Sequence, residues 1–136
     1  MIYGIGTDIV SIKRISTIYC KQAHRFVVRI LSDAELSKFN AISNTNKKIL
    51  YLAGRWAAKE AIVKALGTGF RNGLYLNQIS IINNEFGQPQ ALFSETAKQQ
   101  IKHLLSVRNV TDDFLIHLSL SHEVDYATSM VVVEIK

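Results

Sequence analysis

ILYLAGRWAAKEAIVKALG, residues 49–67, is the stretch that decides the fold. Alanine and leucine, both strong helix formers, dominate it, and Gly67 stands where a helix stop belongs. At about 100° per residue its apolar side chains cover most of the circumference, so the helix is expected to be largely buried. Two charged pairs then stand out. Glu60 and Lys64 lie at i, i+4 on one face, next to the small residues Ala53 and Ala57, and Arg55 and Lys59 form a second such pair on another side. An exposed pair of this kind stabilises a helix by a few tenths of a kcal/mol. That accounts poorly for a carboxylate on a mostly apolar helix, because a buried charge must be paired or bind a metal.

Working outward, MIYGIGTDIV (1–10) reads as a strand. Side chains alternate between the faces of a strand. Met1, Tyr3, Ile5, Thr7 and Ile9 are expected on the core face, with Ile2, Gly4, Gly6, Asp8 and Val10 on the other. Glycine inside a strand often marks close approach by a ligand or another backbone. Asp8 therefore has two readings. It faces water or caps the next helix, or it is a functional carboxylate whose neighbouring glycines leave room for a ligand.

Residues 11–31 read as a helix with a possible break, with Lys13, Arg14, Lys21, Arg25 and Arg29 supplying a basic face. No acidic residue falls between Asp8 and Asp33, which favours an anionic partner over a mixed salt-bridged surface. Ser32-Asp33-Ala34-Glu35 is a capping-box pattern opening a short helix through about Phe39. GTGFRNG (67–73), with Arg71, is a glycine-rich loop of the kind that cradles phosphate or simply turns the chain. A strand is expected over 76–82, then a turn through NNEFGQPQ and a helix over 94–105. FLIHLSLS (114–121) alternates cleanly and pairs with YATSMVVVEI across a short SHEVD turn, an antiparallel hairpin. The order of elements points to an α+β fold, a largely antiparallel sheet packed against the long buried helix and shorter helices.

The 136 residues suit one domain spanning 1–136, and 48% hydrophobic residues can bury a real core. No apolar run approaches the roughly 20 residues of a membrane span, and no signal-peptide pattern opens the chain. Cys20 is the only cysteine, which excludes an intrachain disulfide, fits a cytoplasmic location and reads as a small core residue. The formal net charge of +5 predicts attraction to an anion: nucleic acid, a phosphorylated small molecule or an acidic protein.

Asp8 and Glu60 gain meaning as a pair. If the strand and the helix pack together, their carboxylates can share a divalent cation. Magnesium takes one or two carboxylates, keeps several waters and completes its shell with substrate phosphates. Lys64, Arg55, Arg71 and the glycine loop can hold the remaining phosphate charge. This suits phosphate or diphosphate chemistry, where positioning and charge neutralisation do most of the work. No Walker loop, dinucleotide fingerprint or zinc spacing is present.

GIGTDIV (4–10) and GRWAAKEAIVKALGTG (54–69) closely resemble the two signature motifs of the small bacterial holo-acyl-carrier-protein synthases, a branch of the 4′-phosphopantetheinyl transferases. RFVVRILSDAEL (25–36), GQP (87–89) and LSLSHEVDYA (118–127) resemble further family segments, in order along nearly the whole chain. The resemblance implies the phosphopantetheinyl transferase fold. It also implies magnesium-dependent transfer of the 4′-phosphopantetheine arm of coenzyme A to a serine of apo acyl carrier protein, for fatty acid biosynthesis, with release of adenosine 3′,5′-bisphosphate. Asp8 and Glu60 match the family's metal carboxylates, and Lys64 matches the lysine that neutralises the diphosphate. Arg55, Gly67, Ser121 and His122 fall in matching coenzyme A segments. Arg14, Lys21, Arg25 and Arg29 match the surface that docks the acidic carrier protein. The resemblance further implies a homotrimer with active sites at subunit interfaces. The chain departs from the family pattern at Ser11, where many relatives carry an acid, at Trp56 in place of phenylalanine, and over 103–114, which reads as a surface loop.

The competing reading is a basic domain that grips nucleic acid. It lacks interleaved aromatics and any recognised motif, and it leaves the two carboxylates without a purpose.

Overall fold

The computed structural model describes residues 1–70 and 73–136, so Arg71 lies outside the described residues. The chain runs β1 (Ile2–Ser11), α1 (Ile12–Ile30), α2 (Asp33–Ala41), α3 (Thr45–Leu66), a 3-10 turn (Leu76–Gln78), β2 (Ile79–Asn83), β3 (Pro89–Phe93), α4 (Glu95–Val107), β4 (Phe114–His122) and β5 (Tyr126–Ile135). An antiparallel sheet of order β1-β5-β4 and an antiparallel β2-β3 hairpin make up the described strands. The architecture is the expected α+β one.

Local chemistry sets the helix ends. Ser11, Ser32, Asn44 and Ser94 each accept a backbone N–H in the first turn of the helix that follows. Ser32 and Glu35 close the capping box reciprocally. Ser11, not Asp8, caps α1, so Asp8 remains available for other work. Gly67 ends α3 in the left-handed region, at φ 69°. Helix α1 breaks at Gln22 (φ −140°, ψ 35°).

Helix α3 is the centre of the molecule. On one side Ile62 and Leu66 pack with Ile79, Ile101, Val131 and Val133. On the other, Leu52, Ala53 and Ala57 pack with Ile15, Phe26, Ile30 and Phe39. Its buried charge is Lys59, fully inaccessible, which donates to Glu35 Oε1 at 2.5 Å and to the Ile30 carbonyl. Glu35 also accepts from the Ser32 and Ile81 N–H groups. Burial pushes the Lys59 ammonium down to about 8.

Five expectations are corrected. The inward face of β1 is the one carrying Gly4, Gly6, Asp8 and Val10, while Ile5 and Ile9 face outward. The glycines do not make room for a ligand; they admit the backbone of α3. A Cβ on Gly4 would lie 2.0 Å from the Ala65 carbonyl oxygen, and one on Gly6 2.0 Å from that of Ala61. Cys20 is exposed on α1, not in the core. Residues 103–107 are the last turns of α4 rather than loop, and 76–78 are a 3-10 turn ahead of a shorter strand.

Gly6→Ala should therefore cost at least about 3 kcal/mol, the upper part of the range for overpacking, because the clash is with backbone that cannot rotate away. Urea denaturation at neutral pH measures it.

Candidate active site

Strand β1 and helix α3 bring the predicted trio together. Lys64 Nζ donates to Asp8 Oδ1 at 2.8 Å, with the Asp8 side chain 11% exposed and that of Lys64 52%. Lys64 thus pairs across elements rather than with Glu60 in its own helix. Glu60 is close enough to both to feel their charges. Burial, then the Asp8 carboxylate, hold its carboxyl above the ordinary range, and Lys64 pulls the other way. Two carboxylates beside a single lysine form a site short of positive charge.

Asp8 and Lys64 open on a cleft of about 400 Å³ lined also by Thr7, Ser119, Ser121 and Ser129. Ser121 and Ser119 are shared with a second cleft of about 620 Å³, whose walls include Tyr51, Arg55, Gly87, Pro89 and His122. Both clefts thus border the same stretch of β4. Arg55 is fixed in the wall by several groups. Its guanidinium lies 4.1 Å from the Tyr51 ring centroid, Nη2 donates to the Ile81 carbonyl at 3.2 Å, and Nε stands 3.9 Å from Glu35 Oε2. Lys59 already neutralises Glu35, so the charge of Arg55 is left over for an anion. Asn84 shapes the turn beside it, its Oδ1 accepting from the Phe86 and Gln88 N–H groups.

Not every expected residue joins the clefts. Gly67 lies at the far end of α3, where Arg108 donates to the Leu66 and Gly67 carbonyls and to the Tyr3 hydroxyl. Arg14, Lys21, Arg25 and Arg29 are exposed along α1, on both sides of the Gln22 break. Sequence reasoning missed Glu35 and Tyr51 as the holders of Arg55. The capping-box position of Glu35 was visible, but its second role depends on α2 packing against α3. It also missed Ser129, the cross-strand partner of Asp8.

The profile of the 4′-phosphopantetheinyl transferase superfamily matches residues 4–124. The chain belongs to this superfamily. Among the transferases it resembles, the holo-[acyl-carrier-protein] synthase of Wigglesworthia glossinidia brevipalpis is 44% identical over 135 residues, covering 98% of this chain and 92% of that one. The synthase of Staphylococcus aureus (strain JH9) is 40% identical over 134 residues, covering 98% and 97%. Of solved transferases, the Neisseria meningitidis synthase superposes with a TM-score of 0.84 at 37% identity over 98% of this chain and 99% of its own. The Bacillus anthracis synthase, solved in complex with coenzyme A (3′,5′-ADP), gives 0.78 at 31% identity over 100% and 99%.

The raised proton affinity of Glu60 has a consequence for stability. The folded chain holds that proton more tightly than the unfolded one, so ionised Glu60 costs stability at neutral pH. The cost is relieved as pH falls through the raised value toward the ordinary 4.5. In metal-free buffer, Glu60→Gln should melt above wild type at pH 7. The gap should close as the pH is lowered; differential scanning fluorimetry over a pH series checks it.

Proposed function

We propose that the chain is a holo-[acyl-carrier-protein] synthase that moves the 4′-phosphopantetheine arm of coenzyme A onto a serine of apo acyl carrier protein. The observation that carries this is the meeting of Asp8, Glu60 and Lys64 beside a cleft that shares Ser119 and Ser121 with a second one walled by Arg55 and His122. Family membership supports it along almost the full chain.

The chain's own groups account for most of the work. Arg55, His122 and the turn ending at Pro89 bind the nucleotide end of coenzyme A, laying the diphosphate toward Lys64. Lys64 neutralises charge on the diphosphate. The carrier serine Oγ attacks the phosphorus bearing the pantetheine arm, and the bond from that phosphorus to the leaving adenosine 3′,5′-bisphosphate breaks. Glu60, with its raised proton affinity, is suited to receive the serine proton. Two like-charged carboxylates with hard oxygen donors fit a magnesium ion, held by Asp8 and Glu60. Bound there, magnesium would supply charge neutralisation and polarisation at the diphosphate.

The basic residues Arg14, Lys21, Arg25 and Arg29 would dock the acidic carrier protein. Their charges are exposed, and none has an ion pair among the described residues. The outer face of the larger sheet would be the subunit contact of a homotrimer. Ile5, Ile9 and Met130 are 59%, 64% and 50% exposed there, and Ile9 and Met130 also border the Asp8 cleft. A neighbouring subunit would thus complete the active site. The reaction would serve fatty acid biosynthesis in the cytoplasm. Among the described residues no helix is long and apolar enough to cross a membrane.

Incubation with apo acyl carrier protein, coenzyme A and magnesium should add the mass of one phosphopantetheinyl arm to the carrier. Asp8→Ala, Glu60→Ala or chelation of magnesium should lower the rate at least about a hundredfold, the scale of losing one electrostatic stabiliser. No arm transferred to any of several carriers would reject the reading. Light scattering should give the mass of three chains for wild type, and Ile9→Arg should shift it to one.

A further inference from the structure

Ser129 is the feature of the site that the transfer reaction leaves unused. It is only 4% exposed, on the inward face of β5. Among the described residues its Oγ has no hydrogen-bond partner. It sits directly across the sheet from Asp8, and both line the cleft that holds Lys64. Directly opposed Cβ atoms in an antiparallel pair are about 4.5–5.5 Å apart, so the hydroxyl and the carboxylate address the same small volume.

A buried hydroxyl without a partner destabilises the fold that carries it, typically by an amount that an alanine would remove. The surroundings do not demand it. Ser129 is flanked along its face by Ala127 and Val131, both buried and apolar, and an alanine would continue that face. An orphaned donor beside a charged cleft is accounted for if the partner arrives with the ligand.

We propose that Ser129 is a ligand-binding residue of this site, its hydroxyl hydrogen-bonding an oxygen that is held at the Asp8 carboxylate only when the site is filled. That oxygen belongs either to the diphosphate of coenzyme A or to a water of the hydrated divalent cation. The inference deepens the functional reading above and rests on it. A serine hydroxyl donates one hydrogen bond and accepts others, so either source is chemically suitable.

Ser129→Ala and Ser129→Thr, compared with wild type, test this by binding as well as turnover. Magnesium is titrated calorimetrically into coenzyme-free protein, and coenzyme A into magnesium-free protein. Ligand-free Ser129→Ala should melt at or above wild type, because it loses only an unsatisfied group. It should bind one of the two titrants about three- to tenfold more weakly, the loss of one hydrogen bond. Ser129→Thr, which keeps the hydroxyl, should recover most of that loss. Weakening confined to magnesium assigns the oxygen to a water on the cation; weakening confined to coenzyme A assigns it to the diphosphate. Unchanged affinities for both, or a ligand-free Ser129→Ala that melts below wild type, would overturn the inference while leaving the transferase reading intact. A wild-type protein that binds neither titrant and transfers no arm would remove the functional reading, and the inference with it.

Discussion

The structure depends on one close contact, the crossing of β1 over α3 with backbone against backbone. Gly4 meets Ala65 and Gly6 meets Ala61 at separations that leave no room for a side chain on the strand. The spacing is commensurate. Two residues of strand advance about 6.6 Å and four residues of helix about 6 Å. Strand and helix can therefore stay in step over several residues. Continuing the same step carries Asp8 to the level of Ala57, less than one turn before Glu60, and the long Lys64 side chain reaches back to it. The meeting of Asp8, Glu60 and Lys64 is a consequence of that registry rather than of any local sequence motif. A side chain at either glycine would tilt the strand and separate the carboxylates.

The opposite flank of α3 is organised by a buried ion pair. Glu35 and Lys59 link α2 to α3 and, through backbone groups, to the end of α1 and the start of β2. A buried pair of this kind is weak evidence for added stability, because both ions lose their hydration. Its geometric effect is clearer. It fixes the carboxylate against which Arg55 is held, and so places a guanidinium in the wall of the larger cleft with its charge unspent.

The long helix, the capping box and the β4-β5 hairpin were legible because each is written in contiguous residues. The carboxylate pair was legible because charge on an apolar helix and charge beside strand glycines both call for a partner. The orientation of β1 was not. Its apolar residues outnumber the others on the face that proves to be outward, and hydrophobicity alone pointed the strand the wrong way. What reverses it is the shape of the glycine face, which only the neighbouring helix reveals. Lys59 and Glu60 show the same limit on a finer scale. One residue of helix turns a side chain through about 100°, and the sequence could not say which of two adjacent charges enters the interior. Cys20 was misplaced because an unpaired cysteine is most often buried, whereas its position on α1 leaves it exposed.

The sheet also bears on how the protein is made. Among the described residues strand β1 finds its one hydrogen-bonded neighbour in β5, more than a hundred residues later, and Met1 and Ile135 exchange backbone hydrogen bonds. Such distant pairing slows folding, since a long loop must close before the contact is gained. On the ribosome, residues 1–66 emerge with both carboxylates and the lysine, yet β1 has no strand beside it until residues 126–135 follow. During that interval the glycine-faced strand, with its exposed isoleucines, is a target for chaperones or for another nascent copy.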